Sequence, residues 1–129
     1  PRAAFRHFFQ VQTRWNDNDQ YGHVNNAVYY EYIDSVVNHF LHQHVHSAHP
    51  HVAPAAIGIV AESACRYIRP LAYPSAIDVG LSTSRVGESA VHYYACLFPA
   101  GADDALEVAQ VGHVDDALIE QVHGWCARR

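Results

Sequence analysis

Ala27-Val28-Tyr29-Tyr30-Glu31-Tyr32-Ile33-Asp34-Ser35-Val36-Val37-Asn38-His39-Phe40-Leu41 decides the fold. Tyr29, Tyr32, Ile33, Val36, Val37, Phe40 and Leu41 recur at steps of three and four, while Glu31, Asp34, Asn38 and His42 fall off that stripe. A period near 3.6 with one apolar face is an amphipathic helix. On its N-terminal side, Phe5, His7, Phe9, Val11, Thr13 and Trp15 alternate with Arg6, Gln10, Gln12 and Arg14, with Phe8 the one exception. That period of two predicts a half-buried strand. On its C-terminal side, His-rich and Pro-containing residues from His42 to Pro54 are expected to stop the helix. Four further period-2 runs follow, near Ala56 to Arg69, Ile77 to Val86, Ala90 to Phe98 and Leu106 to Val114. Gly87-Glu88-Ser89 suits a tight hairpin, and Pro99 to Asp104 a looser one. With no repeat and no linker, the helix must bury its stripe on the only sheet available. The expectation is a single α+β domain over residues 1–129, a long central helix packed against a curved five-stranded antiparallel sheet.

Composition narrows the function. Of the 129 residues, 50% are hydrophobic and 16% charged, which excludes a disordered or coiled-coil chain. The net charge of -5 and eight cations, all Arg, argue against a nucleic-acid binder, because neutralising phosphates needs clustered cations. No run approaches the roughly 18 apolar residues of a membrane helix, so no membrane partner is expected. Cys65, Cys96 and Cys126 are too few for a disulfide scaffold and lack the spacing of a zinc or redox motif. They read as small core residues in a reducing, cytoplasmic setting. Arg6, His7 and Gln10 break any signal-peptide core at the start, and the lack of any Met reads as a trimmed chain or one with residues missing.

Between strand and helix, Asn16 to Asn26 is polar, has Gly22 at its middle and ends in Asn25-Asn26, residues that suit a helix N-cap. A helix start presents unpaired N–H groups and about half a positive charge, which favours a carbonyl gaining negative charge. Asp17 and Asp19 stand in the loop just before it. From the residues alone, either aspartate serves as a solvated turn or cap residue, or one of them serves as a base or nucleophile.

The string Asp17-Asn18-Asp19-Gln20-Tyr21-Gly22-His23-Val24-Asn25-Asn26-Ala27-Val28-Tyr29, together with Cys65-Arg66-Tyr67-Ile68-Arg69-Pro70-Leu71, resembles the hotdog-fold acyl-CoA thioesterases of the 4-hydroxybenzoyl-CoA thioesterase type. The resemblance implies a hotdog fold and hydrolysis of an acyl-CoA substrate to a carboxylic acid and free coenzyme A, with no cofactor and no metal. It implies that Asp19 is the catalytic carboxylate, as general base or nucleophile. The backbone N–H of Asn26 would polarise the thioester carbonyl, and Gly22, His23, Val24, Asn25 and Tyr29 would border the substrate. Asp17 is then expected to shape the loop by hydrogen bonding. It also implies a second copy of the chain, giving a homodimer or homotetramer. The alternative is a non-catalytic hotdog module that binds an acyl thioester or serves as a dimeric scaffold. A hotdog hydratase would carry a paired Asp and His in a different motif, which is absent.

Other residues read less specifically. His39, His42, His44, His46, His49 and His51 crowd one stretch without Cys, Asp or Glu, so a solvated segment after the helix is expected rather than a metal site. Helix-end dipole stabilisation accounts for His39 and His42. His23 stands either as an acid or as a locally packed loop residue. Arg66, Arg69 and Arg85 suit either solvent or the phosphates of coenzyme A. Glu62 either faces the site or the dimer interface, or pairs with an Arg. After the fifth strand, Asp115-Asp116 followed by Ala117, Leu118 and Ile119 departs from the family's pattern and reads as a capped helical turn.

Overall fold

The computed structural model describes residues 2–46, 59–88, 90–102 and 107–114. The elements run β1 (His7–Gln12), α1 (Val28–Leu41), β2 (Ile59–Tyr67), β3 (Ala76–Val86), β4 (Val91–Pro99) and β5 (Glu107–Val114). The strands form one antiparallel sheet in the order β1-β3-β4-β5-β2. The architecture is α+β, consistent with the hotdog fold. β1 and β2 lie at opposite edges, so the chain between them, including α1, must travel across the sheet. Register shifts between Thr83 and Arg85, and between Val60 and Ser63, insert bulges of the kind that increase twist.

Every residue of the apolar stripe on α1 is buried, from Tyr29 to Leu41. Facing it are Ile77, Val79 and Leu81 of β3 and Val91, Tyr93, Ala95 and Leu97 of β4, alternate residues that share one face of the sheet. Each such side chain contributes about 1.5–3 kcal/mol when withdrawn from water. Glu31 in the first turn and His39 in the last agree with the helix dipole.

Three sequence expectations are corrected. First, β1 stops at Gln12; Trp15–Asp17 form a 3-10 turn and Trp15 is 76% exposed rather than facing the core. Thr13 ends the strand, its backbone N–H and hydroxyl both bonded to the Ser75 carbonyl. Second, Phe8 is not an isolated exception. It joins Phe5, Tyr94, Cys96 and Phe98 in a second apolar cluster. Phe5 and Phe98 meet edge to face with centroids 5.6 Å apart. Gly80 admits this cluster, since a Cβ there would stand 2.9 Å from ring carbons of both Phe5 and Phe8. Third, the chain does not leave the helix for a solvated loop at His42. It winds on as a π-helical turn over His42–His46. His44 packs against Phe40 and His7 with centroids 5.2 and 5.4 Å apart, and His39 bonds the buried His7 through ring nitrogens 3.0 Å apart. Packing, more than the dipole alone, accounts for these histidines.

Cys96 is buried and Cys65 half-buried. His49, His51, Cys126 and the segment from Asp115 onward lie outside the described residues, as does Ser89 of the β3–β4 turn. No described helix is long and apolar enough to cross a membrane.

Candidate active site

The polar loop before α1 is built on Asp17. Its side chain is only 1% exposed, and it accepts four hydrogen bonds. The Arg14 backbone N–H and the Tyr32 hydroxyl donate to Oδ2 at 2.8 and 2.7 Å; Arg14 Nε and Nη2 donate to Oδ1 at 3.1 and 3.0 Å. Burial pushes this carboxyl upward, but Tyr32 and the backbone and guanidinium of Arg14 outweigh it and hold the group below the usual carboxylate range. The Tyr32 hydroxyl is driven well above its ordinary value, first by burial and then by the adjacent carboxylate. Arg14 also reaches Glu31 of α1 at 3.0 Å. Asp17 therefore staples the loop to the helix, and all its acceptor capacity is used.

Asp19 differs in every respect. It is half-exposed, and one oxygen, Oδ1, accepts the Tyr21 N–H at 2.8 Å. Among the described residues Oδ2 has no donor. The backbone around it closes tightly: Asp19 N–H bonds the His23 carbonyl at 2.8 Å and Gly22 N–H bonds the Asp19 carbonyl at 3.1 Å. Gly22 sits at φ +78°, the left-handed region that other residues enter at a cost.

The chain then enters the helix in an order that differs slightly from expectation. Val24 is buried and its N–H bonds the Leu71 carbonyl at 2.7 Å. Asn25 alone carries the cap: its Oδ1 accepts Ala27 N–H at 3.0 Å and its carbonyl accepts Val28 N–H at 2.9 Å. Asn26 does not cap, and the helix begins at Val28 rather than Ala27. With those two amides satisfied, the Asn26 backbone N–H has no acceptor among the described residues. A helix entrance of this kind leaves donors to be met by solvent or ligand.

A cleft of about 270 Å³ opens beside it, lined by His23, Val24, Asn26, Tyr29, Tyr67, Ile68, Arg69 and Pro70. Five of the residues singled out in the sequence, His23, Val24, Asn26, Tyr29 and Arg69, thus share one cavity. Gly22, Asn25 and Asp19 stand outside the lining residues, Asp19 tied to them through the His23 carbonyl. On the far wall, Tyr67 to Pro70, only Arg69 stands among the sequence candidates, as a residue suited to solvent or to a coenzyme A phosphate; Tyr67, Ile68 and Pro70 do not. Their signal lay in the Tyr67-Ile68-Arg69-Pro70 part of the second motif. Arg69 sets a cation at the cleft, while Arg85 is exposed on β3 near the β3–β4 turn. Among the described residues no group of three His, Cys, Asp or Glu side chains is placed to hold a metal ion.

A family model for the thioesterase-like superfamily matches residues 13–118, the span holding the loop, the helix and the cleft. The chain belongs to the thioesterase-like superfamily. Among solved structures, this thioesterase-like chain is similar to the PA5185 protein from Pseudomonas aeruginosa, at 38% identity and a TM-score of 0.78, over 88% of this chain and 78% of that one. It is also similar to a protein of Xanthomonas campestris proposed to be an acyl-CoA thioesterase, at 27% identity and a TM-score of 0.71, over 83% and 89% of the two chains. A gentisyl-coenzyme A thioesterase shares the fold at 16% identity and a TM-score of 0.73, over 83% and 87%. No curated protein matches the chain.

Proposed function

We propose that the protein hydrolyses an acyl-CoA thioester to a carboxylic acid and free coenzyme A, with Asp19 as the reacting carboxylate and the Asn26 N–H as oxyanion donor. The observation that carries this reading is the division of labour between the two loop aspartates. Asp17 is buried with four donors and has nothing left to offer a substrate; Asp19, half-exposed, has an oxygen that meets no donor among the described residues, and Asn26, whose N–H meets no acceptor among them, lines the cleft at the helix entrance.

With the thioester carbonyl oxygen on the Asn26 N–H, attack moves charge onto that oxygen where the helix end favours it. As a general base, Asp19 takes a proton from a water that adds to the carbonyl; the C–S bond then breaks and the departing thiolate recovers the proton. As a nucleophile, Asp19 adds directly, expels the thiolate and leaves a mixed anhydride that water opens. Neither route calls for metal or redox chemistry. Arg69, a planar cation at the cleft, suits a coenzyme A phosphate. His23 is a cleft residue here, with no proton-transfer role assigned to it.

A second copy completes this reading. β2 is a sheet edge on which Val60 and Tyr67 are exposed, with Ile68 exposed just beyond its end, and exposed apolar edges invite pairing. We expect a homodimer or a homotetramer acting in the cytoplasm.

The test is thiol release from a panel of acyl-CoA esters. In a single turnover in ¹⁸O-water, label in Asp19 with unlabelled product acid identifies the nucleophilic route, its anhydride opened at the aspartyl carbon. No thiol release from any ester would leave the acyl-thioester binding module as the better reading.

A further inference from the structure

The residue Asn26 lies between two peptide groups with four polar atoms. The preceding carbonyl, of Asn25, accepts Val28 N–H at 2.9 Å, and the following N–H, of Ala27, donates to Asn25 Oδ1 at 3.0 Å. Both anchors come from within the turn itself. They hold its shape but not its place relative to the sheet. The third atom, the Asn26 carbonyl oxygen, accepts the Tyr67 hydroxyl at 2.8 Å, and Tyr67 is the last residue of β2. The fourth is the N–H, which meets no acceptor among the described residues, on a residue that lines the cleft.

Tyr67 is itself held in register. Its ring meets Tyr29 edge to face, with centroids 4.9 Å apart and planes at 89°. The Tyr29 hydroxyl accepts Leu71 N–H at 3.2 Å, and the Leu71 carbonyl accepts Val24 N–H at 2.7 Å. The end of β2 and the residues after it therefore grip the loop on one side and the helix entrance on the other. Tyr67 is 44% exposed and lines the same cleft, so its bond to Asn26 sits at the mouth of the site and not in the core.

We propose that Tyr67 is a positioning residue that sets the place of the Asn26 N–H through the Asn26 carbonyl. The inference rests on the thioesterase reading above, and adds to it a residue of β2 that acts through the turn. With the turn's shape held by its internal anchors, releasing the Asn26 carbonyl lets the turn shift as a unit against the end of β2 and carries the donor with it. Misplacing a catalytic group by about 1 Å can cost on the order of 10²-fold in rate. A partial release, with the two anchors inside the turn intact, should cost less.

Tyr67→Phe keeps the ring, the Tyr29 contact and the cleft wall, and removes only the hydroxyl. We expect kcat to fall roughly 5- to 30-fold with KM within about twofold, since the interaction matters most as the oxyanion forms. The ¹³C′ resonance of Asn26 should shift, reporting the lost hydrogen bond whether or not the enzyme turns over. In an Asn26→Pro background, where no donor remains to be placed, Tyr67→Phe should cost nothing further. Unchanged kcat, an unmoved Asn26 resonance, a rise in KM with kcat retained, or an additive loss in the Pro background would each overturn the proposal. If Asn26→Pro does not fold, the resonance and the split between kcat and KM still decide. Wild-type protein inert toward every acyl-CoA would overturn the thioesterase reading and this inference together; active wild type with an indifferent Tyr67→Phe overturns this inference alone.

Discussion

Asp17→Asn and Asp19→Asn should fail in opposite ways. Replacing Asp17 places an NH₂ where one carboxylate oxygen now accepts two donors, Arg14 N–H and the Tyr32 hydroxyl on one side or the Arg14 guanidinium on the other. Whichever way the amide turns, donors face donors. Hydrogen bonds to a charged group contribute about 1.5–3 kcal/mol when buried, while exposed ion pairs contribute only about 0–1 kcal/mol. The Tyr32 bond belongs to the first class and the Arg14 guanidinium, 62% exposed, to the second. A loss of about 2–4 kcal/mol results. The loss should depend on pH. Because the Asp17 carboxyl is held below its ordinary value, its contribution is complete above the unfolded-state pKa near 3.9 and vanishes as pH falls through the lower folded-state value. Asp78 is depressed too: burial raises it, but Gly101 N–H, Arg2 and Gln10 outweigh that. Asp17→Asn should therefore flatten part of the rise in stability between about pH 2 and 5, while the part that Asp78 contributes should persist. Asp19→Asn removes one exposed acceptor and should leave stability within about 0.5 kcal/mol, yet lower turnover roughly 10²- to 10⁴-fold. Urea denaturation at pH 3, 5 and 7, with turnover on the best acyl-CoA at 10 °C, measures both. A stable but inactive Asp17→Asn beside an active Asp19→Asn would transfer the chemistry to Asp17 and refute the reasoning.

The remaining expectations are simpler. Asn26→Pro should lower turnover by about 10²-fold or more while Asn26→Ala costs little, because the donor is the backbone N–H; equal rates in the two variants would remove it from the mechanism. Gly80→Ala should lose about 1–3 kcal/mol in chemical denaturation, since its Cβ would press on Phe5 and Phe8 at 2.9 Å; a stabilised variant would mean those rings yield freely. Light scattering at micromolar concentration should return at least twice the chain mass, and an active monomer would exclude pairing through the β2 edge.

The helix was legible because its cause is local. A stripe from Tyr29 to Leu41 can be buried only one way, and all seven of its residues are buried. The period-2 runs were legible for the same reason, with ends moved by a few residues where those ends are described. Trp15 was misread because alternation continues on paper past Gln12, where the chain has turned into Trp15–Asp17. Phe8 looked like a fault because a pattern shows one buried face, and the second cluster exists only once Phe5 and Phe98 arrive from elsewhere.

The loop divides along the same line. That one of two aspartates would shape it and the other face the substrate followed from the resemblance. That Asp17 is the buried one follows from Tyr32, which reaches it from the core stripe of the helix. Sequence alone determined which elements form, their order, and the polar loop that precedes the helix, because each depends on residues within a few positions of one another. The strand order β1-β3-β4-β5-β2, the pairing of His7 with His39, and the hydroxyl of Tyr67 on the carbonyl of Asn26, 41 residues away, were decided by tertiary structure. Such contacts carry no local period: they arise when the apolar faces of separate elements are buried together, and the polar groups brought alongside must then find partners among whatever the packing delivers.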